Sequence, residues 1–445
     1  MVKTAQTPAD RQALTRLAWP MILSNLSVPL LGLVDAAVMG HLPDPRYLAG
    51  VALGSILFDF LYWSLAFLRM GTTGLAAQAL SQNDTRRLRA TLGQALLLGL
   101  ALSVMLLALH APIGVTIFSL TDGSPSAEAE AALYFAIRIW GAPAVLASYA
   151  ILGWFLGAHN ARAPLILLVS QNLLNVILDL WLVVGLGWNT AGVAWASVGA
   201  EYAGLALGVV LIRRELHRFP GRWPWPDILN IRELKKVLSV NASIFIRTLA
   251  LIFAMAFFTN QGARQGNTIL AANALLLHLH VLVAYGLDGF ANAGEALVGR
   301  AVGARDRLAF ERVVGSLVSW SAGIALAFAG IFLLAGPYLI ATLTDIAEVR
   351  LAAETYLIWA VLLPLVSVGS YVLDGIFLGA TRTREMRNSM LIAVLVVFLP
   401  AWYMLAGSGN HGLWLAFTLF MAARSATLAL AYRKIQAARG FVATA

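Results

Sequence analysis

Apolar residues run along this chain in long stretches, broken only by short polar, glycine or proline segments. The stretches fall at 15–39, 47–78, 88–110, 127–157, 163–186, 190–212, 237–261, 268–300, 311–340, 350–379, 387–406 and 411–432. A helix needs about 20 mostly apolar residues to cross a bilayer, so the pattern predicts an all-α integral membrane protein of twelve transmembrane helices. Several stretches are long enough to tilt or to project beyond the hydrocarbon.

Laid over itself at an offset of 222 residues, the sequence repeats. Tyr47 to Leu53 (YLAGVAL) falls on Ile269 to Leu275 (ILAANAL), and Phe155-Leu-Gly-Ala158 on Phe377-Leu-Gly-Ala380. The same frame sets Gly40 on Gly262, Asp84 on Asp306 and Arg162 on Arg384. One offset aligning loops and helices together points to duplication of a six-helix unit. Six is even, so both copies start on the same side of the membrane, and parallel repeats of this kind are a feature of transporters. The expected organisation is an N-terminal lobe at 1–212, a linker at 213–236 and a C-terminal lobe at 237–445. In the linker, Arg222-Trp-Pro-Trp-Pro226 reads as a rigid interfacial segment, with Asp227 as the N-cap of a basic surface helix.

Charge fixes the expected orientation. Lys3, Arg11, Arg16, Arg86, Arg87, Arg89 and Arg162 lie at the N-terminus or after even-numbered helices, as do the linker arginines and lysines, Arg300 to Arg312, Arg382 to Arg387 and Arg433 to Arg439. The opposite side carries Arg46, Arg264 and Arg350. The positive-inside rule then puts both termini in the cytoplasm. It also accounts for the net charge of +9 without nucleic acid. With 60% hydrophobic and 12% charged residues the chain has little room for a soluble domain, and without cysteine it has no disulfide or thiolate site. The polar first fourteen residues lead into an uncleaved first helix.

Ionisable groups within a span are expensive and mark function by default. Asp35, Asp59, Arg69, Arg138, Asp179 and Glu201 stand in the first half, and Arg247, Asp288, Glu295, Asp374 and Arg424 in the second. Asn172, Asn175 and Asp179 recur at spacings of three and four and so share one face of helix 5. Asp35 follows Pro20 and Pro29 in helix 1, where a proline frees a backbone carbonyl and permits a bend. Two acids sharing a partly dry pocket are suited to a proton relay. Asp59 is expected toward the outer third of helix 2, Asp288 or Glu295 to pair with Arg247 or Arg300, and Arg138 and Arg424 to snorkel or cap carbonyls. Trp140, Trp154, Trp181 and Trp402 are expected in the interfacial belt. His278 and His280 do not share a face and no zinc-site spacing occurs, so no metal is expected. The sequence has no phosphate-binding loop for ATP and no hydrolase elbow. The chain is therefore expected to be a transporter, either secondary or powered by a partner, without a cofactor, and not an enzyme.

The residues carry a family likeness. Trp19 to Asn25 with Leu33 to Leu42, Leu68 to Leu75, Gly141 to Ala144, Asn172 to Asp179, Ala284 to Phe290 and Leu373 to Arg382 together resemble the multidrug and toxic compound extrusion (MATE) transporters, in their DinF-like branch. The resemblance implies two six-helix lobes around a central cavity in a bacterial cytoplasmic membrane. It implies export of amphipathic, often cationic, compounds by a monomer in exchange for protons or sodium. Asp35 falls on the family's helix 1 acid and Pro20 on the proline tied to bending; Asn175 and Asp179 match the helix 5 partners, and Ser197 the helix 6 hydroxyl. Asn172, Glu201, Asp288, Glu295 and Asp374 are further candidates for lining the cavity. Leu31 stands where some relatives place a tyrosine. Sodium-coupled relatives carry a helix 7 acid where this chain has Arg247, and Asp374 is about one turn from the usual helix 10 position, which favours protons. A flippase for lipid-linked precursors shares the architecture but would need a basic cavity for pyrophosphate.

Overall fold

The computed structural model describes residues 8–40, 42, 44–118, 124–438 and 440–442. Lys3 and Arg439 of the basic set lie outside them, and so does the side chain of Pro29. Helices α1 to α10 are Pro8–Gly40, Pro45–Ser81, Thr85–Ala108, Pro125–Gly157, Arg162–Gly185, Asn189–Leu216, Ile231–Ala263, Asn267–Gly303, Arg307–Leu343 and Ala347–Gly379. Residues 383–405 form α11, and Gly409–Ala438 form α12. These correspond to the twelve predicted spans. At 1.5 Å per residue, the 37 residues of α8 or α9 reach about 55 Å, against a hydrocarbon core of about 30 Å.

Helix starts follow from local chemistry. Asp44 accepts from the Arg46 amide at 2.9 Å with Pro45 in the first turn of α2, and Ser124 accepts from the Ala127 amide at 3.3 Å ahead of α4. Four helices are interrupted inside. Ala66 breaks α2, a 3₁₀ turn at Ile139–Gly141 divides α4 just before Pro143, and π-helical turns occupy Leu180–Gly185 of α5 and Ala393–Phe398 of α11.

The chain packs as two compact units: Leu23–Leu238, and Met1–Ile22 with Ser239–Ala445. The linker thus clusters with the first unit, whereas the first turns of α1 cluster with the second. Within each unit the duplication is visible atom by atom. Asn83 and Arg305, at φ 53° and 56°, close α2 and α8 in the left-handed conformation, and His159 and Thr381, at φ 59° and 54°, close α4 and α10. Each closes a Schellman motif with the same pair of hydrogen bonds, Asp84 N to Ala79 O at 3.1 Å matching Asp306 N to Ala301 O at 3.0 Å. Asp84 and Asp306 then cap the following helices, accepting from Arg87 N at 2.8 Å and Ala309 N at 2.9 Å. Glycines recur where helices touch. A side-chain carbon at Gly157 would stand 2.6 Å from the Thr73 carbonyl, and one at Gly379 2.4 Å from the Glu295 carbonyl. Every one of these pairs lies 222 residues apart.

Two expectations are corrected here. Asp227 caps no helix: its carboxylate accepts from Arg86 Nη2 at 2.9 Å and pairs with Arg86 Nε, while its carbonyl accepts from Gln94 Nε2 at 2.9 Å. The basic segment after Asn230 is continuous with α7, preceded only by a short turn at Trp225–Ile228. Trp154 is not in an aromatic belt. It is fully buried in the first unit's core and donates Nε1 to the Leu88 carbonyl at 3.0 Å, whereas Trp140 and Trp181 are exposed.

Candidate functional site

In the first unit, polar side chains from α1, α5 and α6 meet in one chain of hydrogen bonds. Asn175 and Asp179 stand four residues apart on α5, so they project from the same face one turn apart. Both are buried, Asp179 completely. With the Asn175 amide turned so that its nitrogen faces the carboxylate, Nδ2 donates to Asp179 Oδ2 at 2.7 Å and the amide oxygen accepts from Ser197 N and Oγ, each at 3.1 Å. Asp35 of α1 meets Asp179 within hydrogen-bonding reach. Asp35 Oδ1 and Asp179 Oδ1 are buried and have no donor among the described residues. A hydrogen bond between two carboxyls needs one proton on the pair. One turn earlier on α5, Asn172 Nδ2 donates to Ser27 Oγ of α1 at 2.9 Å, and Ser27 Oγ donates to the Ser24 carbonyl at 2.7 Å.

The structure therefore brings together Asp35, Asn175, Asp179 and Ser197, with Asn172 beside them. Pro20 lies within α1, which is helical on both sides of it. Asp179 is the last α-helical residue of α5 before the π turn, a device frequent at functional sites.

Glu201 lies one turn beyond Ser197 on α6 and joins a different group. Arg138 Nη2 holds Glu201 Oε1 at 2.5 Å, and the guanidinium stands 5.4 Å from the ring centres of both Phe58 and Tyr62. Arg138 thus neither snorkels nor caps carbonyls. It is half-buried, and its charge acts on Asp35 and Asp59 as well as Glu201. The 3₁₀ turn makes room for the pair at Gly141, where a side-chain carbon would stand 2.0 Å from Glu201 Oε2.

The second unit has a centre of the opposite kind. Arg247 of α7 and Arg424 of α12 both donate to Asp374 Oδ2 of α10, the latter at 3.1 Å. Arg424 also reaches Met421 Sδ at 3.3 Å and lies over the Phe420 ring. Arg247 was expected to pair with Asp288 or Glu295; Asp374 takes it instead, because α7, α10 and α12 converge there. Arg424 is a buried ion-pair partner and does not snorkel. Asp288 contributes charge around Arg424 and Tyr371, and Glu295 is buried near the contact of its carbonyl with Gly379. The missed pairings had one sequence signal: a guanidinium in mid-span demands a counter-ion. Its partner, on another helix, left no local pattern. Among the described residues no three His, Cys, Asp or Glu side chains converge as metal ligands.

Compared with known proteins, the MatE family profile matches the chain twice, over residues 20–181 and 242–404. The chain is 44% identical to DNA damage-inducible protein F of Escherichia coli over 433 residues, covering 96% of this chain and 93% of that one. It is 24% identical to multidrug resistance protein PmpM of Pseudomonas aeruginosa over 455 residues, covering 98% and 93%. Among solved structures, a variant of the Vibrio cholerae MATE transporter VcmN matches with a TM-score of 0.86 over 98% of both chains at 18% identity. An outward-facing multidrug resistance MATE family transporter of the MOP superfamily matches at 0.84 over 96% of both at 20% identity. These two share the fold.

Proposed function

The chain belongs to the MatE family, the multidrug and toxic compound extrusion transporters, and from that premise we propose that it exports amphipathic, cationic compounds in exchange for protons by alternating access. The observation that carries this reading is the chain Ser197, Asn175, Asp179, Asp35, in which two carboxyls stand within hydrogen-bonding reach of each other. Such a pair has two charge states within one geometry. With its shared proton it is satisfied internally. Without it, two carboxylates repel at contact distance and favour a cation between them or a movement of α1. Pro20 supplies the place for that movement, since its missing N–H leaves one carbonyl of α1 without an intrahelical partner.

Proton coupling is preferred to sodium coupling because the second unit's Asp374 is already held by two guanidiniums. A sodium site there would have to compete with both. The acidic and amidic character of the first-unit chain likewise disfavours a pyrophosphate-bearing lipid as substrate. The transporter acts as a monomer in a bacterial cytoplasmic membrane with both termini inside, binds no nucleic acid, and needs neither a cofactor nor an enzymatic step.

The test is transport in proteoliposomes with separately imposed proton and sodium gradients, across cationic dyes and bile-salt-like anions. A proton gradient alone is expected to drive dye efflux, and Asp35→Asn to reduce it at least 100-fold while leaving the detergent-solubilised protein monodisperse. Sodium-driven efflux, or undiminished proton-driven efflux by Asp35→Asn, would refute the reading.

A further inference from the structure

The segment that joins α6 to α7 is fastened to the first unit on one side and bare on the other. Its inner side is held at three points on α3. The Asp227 carboxylate pairs with Arg86 while its carbonyl accepts from Gln94 Nε2 at 2.9 Å, and the Phe219 carbonyl accepts from Arg89 Nη2 at 2.8 Å. Ile228 is buried and fills the space that Gly93 leaves, where a side-chain carbon would stand 2.5 Å from Ile228 Cδ1. Pro220, Pro224 and Pro226 restrict the backbone between these points.

With the inner side so fixed, three large apolar residues are left outside. Trp225 and Leu229 stand one turn apart, since Leu229 N donates to Trp225 O at 3.0 Å, and they are 60% and 58% exposed. Ile231, at the start of α7, is 69% exposed. Lipid-facing residues within a span are exposed too, but these three lie between the Arg213 and Arg214 that end α6 and the Arg232, Lys235 and Lys236 that open α7. Cations at both ends set the segment at headgroup depth, where a tryptophan also settles.

The charge around this apolar face is uncompensated. Glu215 is held by Arg218 and Asn160, Asp227 by Arg86 and Glu233 by Lys236, so each acid of the segment already has its partner. Arg213, Arg214, Arg222, Arg232 and Lys235 are exposed and have no carboxylate partner among the described residues. Charge complementarity then selects the occupant: apolar side chains bordered by free cations match a phospholipid surface that presents acyl chains on one side and phosphate on the other.

We propose that residues 213–235 form a docking site for anionic phospholipid, in which Trp225, Leu229 and Ile231 enter the boundary between headgroups and acyl chains and the free cations around them hold the phosphates. Because Asp227 and Ile228 tie the same segment to α3, a lipid bound there fixes the depth of the α3 and α6 ends together. The proposal depends neither on the coupling ion nor on the exported compound.

The chain contains no cysteine, so Leu229→Cys can carry a single environment-sensitive fluorophore in the full-length protein. In vesicles of phosphatidylcholine mixed with phosphatidylglycerol, brominated acyl chains are expected to quench that fluorophore. Native mass spectrometry of the unlabelled protein from the same vesicles is expected to show phosphatidylglycerol retained about fivefold or more over phosphatidylcholine. Combining Arg222→Gln, Arg232→Gln and Lys235→Gln, all at exposed positions, should abolish the preference at an unchanged melting temperature, and Trp225→Ser with Ile231→Ser should weaken the quenching. High salt on the unsubstituted chain should also abolish the preference, which keeps the test standing if a variant does not fold. A fluorophore that brominated lipid fails to quench would overturn the proposal and leave the basic face to a soluble acidic partner. Equal retention of the two lipids by the unsubstituted chain, or a preference that survives both high salt and the triple substitution, would overturn it as well.

Discussion

In the first unit an aspartate on α5 faces another aspartate, whereas in the second the aspartate of α10 faces two arginines. The two units nevertheless share their joints down to individual hydrogen bonds: left-handed closures at Asn83 and Arg305, caps at Asp84 and Asp306, glycine contacts at Gly157 and Gly379. Duplication has conserved what holds helices to one another and released what lies between them. A joint constrained by backbone contact tolerates little change, whereas a polar centre need only remain balanced in charge. The first unit sets acid against acid at this centre and the second sets its acid against guanidinium.

That contrast can be broken in three ways. Asp374→Asn should have the largest effect on stability, about 3–5 kcal/mol, because it leaves two buried guanidiniums without their anion. The pH profile of whatever transport survives should be unchanged. Adding Arg247→Met should recover part of the loss in melting temperature; a shifted pH profile would instead give the second unit a part in coupling. Next in size, Gly157→Ala and Gly379→Ala should each cost about 1–3 kcal/mol, since the added carbon meets a backbone carbonyl that cannot swing aside. Comparable losses in thermal unfolding would show the two joints to be equivalent, and a tolerated change at one of them would show that it has diverged. The smallest effect is expected from Asp84→Ala and Asp306→Ala, about 1 kcal/mol each, with transport kept near the wild-type rate.

Much of this was legible in the sequence because it rests on local or periodic features. Twelve spans follow from apolar run length, and the duplication from a single offset. The shared face of Asn172, Asn175 and Asp179 follows from spacings of three and four. Asp35 as their partner came from family resemblance, since no periodicity on α5 points to a residue on α1. The two arginine centres escaped for the same reason. Arg138 and Glu201 lie on different helices, and Asp374 is claimed from two others, so the pairings exist only once helices pack. Trp154 read as a belt residue because an indole at the polar end of a span usually is one; here the Leu88 carbonyl satisfies its N–H inside the core.

The π turn at Leu180–Gly185 marks where such wheel-like reading stops. A turn carrying one extra residue advances the helix by about 100° relative to an α-helical count. Residues beyond it therefore no longer lie in the row begun by Asn172 and Asn175. Leu186, on the Asp179 row by an α-helical count, is accordingly exposed, while Leu182 and Val183 inside the turn stay buried with Asp179. In α11 the wide turn sits at Ala393–Phe398, which the duplication frame would place over 171–176 of α5. The paralogous helices thus change phase at different depths. A polar row transplanted from α5 onto α11 residue for residue would emerge on the wrong side of the helix, so a designer wishing to move the Asn175 and Asp179 row to the other half would have to move the phase change first.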